Sequence, residues 1–314
     1  VKHASLITGV SEGYYTPVLD RNPHLKKQAI TAAMPYGGEE LDHKFVRGDV
    51  RLEILEDRCE TLDVRGEEIQ RKSFNPSILQ LSSTPSTLKL SSTFQLPQPP
   101  STFNFIYAGA LLPKAIKPLE KIFESLASLH PSSPTSHVSS LGTNVSGLTS
   151  HVSRLSSNVS FHFIGTANKV KPLAEKYGLW NSIVFEHPDR IPYLEVLKNL
   201  EAADGIFILG STEPHYTPSK VYQAVLSKKP ILAVLHESSS AVNIIIDSKA
   251  GIVVTMNGEE NLNTLGTRFR DDLDSYLLWT RSFNPADVNK HAFIPYTAES
   301  VTKVLIDELN KLIK

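Results

Sequence analysis

The sequence predicts an α/β protein built on a doubly wound parallel sheet, with a partial domain ahead of it. Two observations carry this reading. Apolar runs recur at 103–109 (FNFIYAG), 160–165 (SFHFIG), 182–186 (SIVFE), 204–210 (DGIFILG), 230–235 (PILAVL) and 251–255 (GIVVT). They are near-continuous, as in strands covered on both faces. Helical patterns fill the gaps, at 113–129, 168–178, 191–202, 218–229 and 240–249. Strands alternating with helices of that length form a parallel sheet, here over roughly 100–255.

The elements follow in order. "ASLITGV" is a short β-rich run, and Ser11-Glu12-Gly13 opens a helical segment reaching about Asn22. "AITAAMPYGG" (29–38) reads as a strand ending in a Gly-Gly turn. Two strands and a helix cannot bury a core alone, so this region reads as the end of something larger. Residues 47–75 are highly charged and predict a solvated helix or exposed extension. "LQLSST" recurs as "LKLSST" within 79–93, and "SHVSSLGTNVS" as "SHVSRLSSNVS" within 136–160. Two copies fall short of the about three units a solenoid needs. They read as duplicated mobile loop insertions near 79–100 and 131–160. "AESVTKVLIDELNKLI" (298–313) is an amphipathic C-terminal helix. The expected organisation is 1–75 as a domain remnant with its charged extension, 76–297 as the Rossmann-like domain, and 298–314 as the last helix.

Composition excludes several classes. The 314 residues are enough for one large or two modest domains. A formal net charge of −1 gives no case for nucleic acid. Cys59 stands alone, so neither a disulfide nor a cysteine-based metal site forms within the chain. No apolar run approaches the ~20 residues of a membrane span, and no secretory signal is visible. These features together predict a cytoplasmic protein. Gly-x-Gly-x-x-Gly, a Walker loop and Gly-x-Ser-x-Gly are all missing from the sequence, which argues against nicotinamide enzymes, NTPases and serine hydrolases.

Ligands of doubly wound sheets bind beyond the carboxyl ends of the strands. Small residues, hydroxyls and bases collect there: Gly109 and Lys114, then Gly165 and Thr166, then Arg190, Ile191, Pro192 and Tyr193, then Ser211, Thr212 and His215. The stretch "YTPSKVYQAVLSKKP" is the most informative. Thr217 fits an N-cap and Pro218 the first helical position, placing Ser219 and Lys220 in the first turn. A lysine there opposes the helix dipole, and a bound phosphate would reconcile the two.

The run from "FHFIGTANKVKPLAEKYGLW" through "SKKPILAVLHESSS" resembles the donor-binding C-terminal domain of bacterial GT-B glycosyltransferases of the family-four type. The similarity extends from about Phe103 to Val254, to "IPYTAESVTKVLIDELNKLI", and to the opening "ASLITGVSEGYYTPVLDRNP" with "MPYGG". It implies a two-domain enzyme lacking here most of its first domain. The donor base would sit near Arg190 to Tyr193 and the diphosphate against Thr217 to Lys220. Gly109, Gly165 and Thr166 would border the nucleotide. The two glutamates usual in the family fall on His215 and Gln223, a departure from its pattern, although Glu213 lies close. The resemblance implies metal-independent transfer from a nucleoside-diphosphate sugar to an unknown acceptor, with no cofactor. Peripheral membrane association through the missing first domain would go with it. The alternatives are a non-catalytic nucleotide-sugar-binding module, an inactive truncated enzyme, or a sugar-nucleotide epimerase.

Overall fold

The computed structural model describes residues 3–49, 102–127 and 158–313. Cys59, most of the charged extension and nearly all of the duplicated Ser/Thr-rich stretches lie outside the described residues.

The first unit opens with β1 (Leu6–Gly9), α1 (Glu12–Arg21), α2 (Leu25–Gln28) and β2 (Ile30–Ala33). β1 and β2 pair in parallel, from Leu6 with Ile30 to Gly9 with Ala33. α3 (Glu40–Arg47) follows; Glu39 accepts from the Leu41 amide at its start, and Gly48, with φ of 80°, ends it.

The second unit holds β3 (Phe103–Ala108), α4 (Ile116–Ala127), β4 (Val159–Ile164), α5 (Lys171–Lys176), β5 (Val184–His187), α6 (Tyr193–Ala202), β6 (Gly205–Leu209), α7 (Lys220–Leu226), β7 (Ile231–His236), α8 (Ser240–Asp247) and β8 (Gly251–Met256). All six strands are parallel, in the order β5-β4-β3-β6-β7-β8. The strand order therefore reverses between β3 and β6. In an open α/β sheet that reversal makes a crevice where ligands bind. The fold is a doubly wound, Rossmann-like parallel sheet, preceded by a small unit with two parallel strands.

Residue alternation divides the core. Phe105, Tyr107, Phe161, Phe163 and Phe207 face one side of the sheet, and the rings of Phe105 and Phe161 stack at 4.7 Å. Ile106, Ile164, Ile206 and Ile208 face the other, toward α6, α7 and α8. The aromatic side is closed by α4 and by α9 (Leu262–Thr280), whose Leu265, Phe269, Leu273 and Tyr276 are buried. The sequence reading contains no helix at 262–280. Charged residues between the apolar positions hide an i, i+4, i+8, i+11 stripe that was available. α10 (Lys290–Phe293) and α11 (Ala298–Ile313) complete the chain, and α11 keeps the predicted bounds. None of the described helices is long and apolar enough to cross a membrane.

The first unit is clamped to the second. The Arg47 guanidinium and the His43 ring both meet the Glu201 carboxylate of α6, at 2.9 and 2.7 Å. The Tyr193 hydroxyl donates to Asp42 at 2.8 Å. The Gly38 amide donates to the Tyr296 carbonyl, and Ala298 returns a bond to Gly38.

Candidate functional site

Lys220 is the first residue of α7, and Ser219 is its N-cap. This corrects the sequence expectation, which put the cap at Thr217 and Pro218 at the first helical position. Instead Thr217 and Pro218 are buried. The Thr217 hydroxyl shares a 2.7 Å hydrogen bond with Ser240, and its amide donates to the Tyr14 hydroxyl. The Ser239 hydroxyl donates to the Tyr216 carbonyl at 2.7 Å. The turn is thus pinned from behind by the start of α8, and only Ser219 is exposed.

The Lys220 side chain runs inward across Gly109. Its Nζ lies 3.5 Å from the centre of the Tyr107 ring. Lys220 as a residue keeps some exposure, but its nitrogen has essentially none and no hydrogen-bonding partner among the described residues. Burial pushes its pKa down to about 7. A cation over a phenol ring gains up to about 2 kcal/mol. An unpaired ammonium taken out of water costs several kcal/mol, so the burial effect wins. Gly109 permits the path. Its φ is 129°, and a β-carbon there would stand 3.3 Å from Cε and 3.4 Å from Nζ.

Gly109 ends β3 and Gly210 ends β6, so the lysine lies at the reversal point of the sheet. Ala108, Ser219, Lys220 and Gln223 line a cavity of about 160 Å³ there, floored by Val196, Leu200, Ile206 and Phe207. Gln223 is half-buried in it. Its Oε1 is 2.9 Å from His43 Nε2, while His43 Nδ1 faces the Glu201 carboxylate. One end of the Gln223 amide is thereby committed to α3. Sequence reasoning missed His43, because only the folded chain brings α3 against α7.

The remaining expected residues fall into two groups. Lys114 and Glu213 form an exposed ion pair at 2.9 Å, beside buried Ser211 and Thr212. The Ser211 hydroxyl accepts from the Glu213 amide, and the Thr212 amide donates to the Lys114 carbonyl. His215 packs edge-on against Tyr14 at 5.2 Å. Gly13 allows this approach, since a β-carbon there would fall 2.5 Å from the His215 Cβ. Burial, then the nearby phenols and Glu213, push the Tyr216 pKa up to about 12.

The second group lies at the ends of β4 and β5. Gly165 has φ of 79° and sits under Arg190, which is exposed. Pro192 is the exposed N-cap of α6, and Ile191 packs on the core beside it. The hydroxyl of Tyr193, held by Asp42, is pushed well above the usual tyrosine range by burial and by that carboxylate. Thr166 is turned inward and donates to Glu186. Glu186 also accepts from the Val170 and Lys171 amides, at 3.3 and 2.8 Å, so it caps α5. Replacing Glu186 by Ala orphans these donors and should cost about 1–3 kcal/mol, read as a shift in urea midpoint. Lys169 is exposed, and its amine donates to the Leu111 carbonyl at 2.9 Å, tying the β3 and β4 loops together.

Among the described residues, no group of three or more His, Cys, Asp or Glu side chains could hold a metal ion. The donors placed around this cavity are the Lys220 amine, the Ser219 hydroxyl and the Gln223 amide, which suit an anion.

No family model matches the sequence, and a search of characterised proteins gives no match. Solved structures do match. The chain is similar to Anabaena Alr3699/HepE, solved with UDP-glucose, at 13% identity and a TM-score of 0.51. That alignment covers 98% of this chain and 64% of the Anabaena protein. It is also similar to the pneumococcal O-GlcNAc transferase GtfA, solved with UDP and GlcNAc, at 9% identity and a TM-score of 0.53. There 99% of this chain and 45% of GtfA are aligned. The structure thus resembles GT-B fold glycosyltransferases at low identity. The chain spans less than two thirds of either protein.

Proposed function

We propose that this chain is the donor-binding part of a glycosyltransferase similar to the family-four GT-B enzymes, and that it binds a nucleoside-diphosphate sugar. One observation carries the reading. A lysine amine with no hydrogen-bonding partner among the described residues lies across a glycine at the reversal point of a parallel sheet. The similar structures support it, because both were solved with UDP or a UDP-sugar.

In this reading the diphosphate lies over Gly109 and the start of α7. Lys220 and the exposed Ser219 N-cap stabilise the negative charge that grows on the leaving diphosphate. Arg190 and the Gly165 loop flank the base. Lys114 and Glu213, already paired, border the sugar. Gln223 offers its free amide end to the ribose. The acceptor would be held mainly by a first domain, of which β1, β2 and the start of α1 at Gly13 form one wall.

A second reading has specific support. Gln223 is committed to His43, and Glu213 is neutralised by Lys114. Both facts fit a module that binds nucleotide sugar without transferring it. Titration with UDP- and GDP-sugars, followed by a transfer assay with mixed sugar acceptors, separates the two. Binding with transfer supports the enzyme, binding without transfer selects the module, and failure to bind any of them overturns both.

A further inference from the structure

The Lys220 amine is enclosed on every side that the described residues define. Tyr107 of β3 lies beneath it, and its hydroxyl is turned away, donating to the Ala110 carbonyl. Gly109 lies across its path. Val196 and Leu200 of α6 contribute no charge to the adjoining cavity, and Gln223 of α7 is neutral. The segment before α7 carries Glu213, His215 and Tyr216. Glu213 is turned to Lys114, and His215 lies against Tyr14. The phenols of Tyr107 and Tyr216 both hold their protons more tightly than usual because of burial. No carboxylate of the described residues bonds the amine, so none of them holds a charge there.

We propose that Lys220 is an uncharged amine folded onto Tyr107 in the protein alone, and that it swings out past Gly109 and takes up a proton when a diphosphate arrives. Binding at this site is then coupled to proton uptake. This rests on the nucleotide-sugar reading above. The lowered pKa of about 7 agrees with it. A diphosphate restores the reason to be charged, and the amine then titrates like an ordinary lysine. Near pH 8 a nucleoside diphosphate has already lost its last proton, at about 6, so it contributes none of the exchange. The tyrosines do not contribute either, since they stay protonated throughout.

The test is calorimetric titration of the full chain with UDP, and with GDP in parallel, at about pH 8 in buffers of different ionisation enthalpy. Uptake of nearly one proton per bound nucleotide is expected. It should vanish in Lys220→Arg, whose guanidinium is charged before and after binding. Binding without proton uptake overturns the proposal and leaves the nucleotide reading intact. Binding of neither nucleotide overturns both. A second measurement needs no ligand: the side-chain NMR titration of the lysines. One lysine, assigned to Lys220 by its loss in Lys220→Met, should titrate near neutrality. A Lys220 that titrates with the surface lysines overturns the proposal whatever the calorimetry shows.

Discussion

Replacing Lys220 by methionine should make the protein more stable at neutral pH while weakening UDP binding. The side chain fills the same channel over Gly109 and rests its thioether on the Tyr107 ring. It removes a buried basic group that has no hydrogen-bonding partner among the described residues. Exchanging a buried ion pair for apolar volume is often neutral or stabilising by about 1–4 kcal/mol, and removing a lone buried amine acts in the same direction. The pH dependence identifies the cause. The folded protein releases the Lys220 proton near pH 7, whereas the unfolded chain keeps it to the usual 10.5. Between those limits the unfolded state holds more protons, so wild-type stability rises with pH across that window. Below it the full penalty applies. The advantage of the methionine variant should therefore be greatest at and below neutrality and shrink toward pH 10. Urea denaturation at several pH values measures this. In the enzyme reading, the same substitution, or Lys220→Ala, should lower turnover by ~10²-fold. A residue that lowers stability yet supports binding is the pattern expected of a functional group.

Gly109→Ala should damage both properties. A φ of 129° is a backbone conformation that alanine rarely adopts, and the strain costs on the order of 1–3 kcal/mol. The new methyl would also crowd Cε and Nζ of Lys220, at 3.3 and 3.4 Å, and narrow the route proposed for the amine. UDP affinity should fall by roughly tenfold, about 1.4 kcal/mol. The two substitutions must couple if the account is right. In the Lys220→Met background, Gly109→Ala should still destabilise but should lose its effect on binding, a non-additivity that a double-mutant cycle measures.

Much of this architecture was legible beforehand, for physical reasons. Strands covered on both faces need unbroken apolar runs, so β3 to β8 stand out, and their spacing by helices fixes them as parallel. The location of the rim followed from that topology. The turn before α7 was read too early, because Thr-Pro matches a helix start locally. The Thr217 hydroxyl instead bonds Ser240, which lies 23 residues away. Pairings across long sequence separations were not legible. Lys114 with Glu213 spans 99 residues and His43 with Gln223 spans 180. Composition does not record which surfaces meet. The inward path of Lys220 was hidden as well. A lysine at a helix start ordinarily points to solvent, and only the glycine at the end of β3 and the ring of Tyr107 make room for it within the fold.

The crystal structure of the full chain with UDP bound tests the central claim most directly. The β-phosphate should lie within about 2.7–3.2 Å of Lys220 Nζ, with the amine lifted off the Tyr107 ring and the diphosphate spanning Gly109 and Ser219. A nucleotide bound elsewhere on the protein, or bound at this rim with Lys220 still folded onto Tyr107, would contradict it.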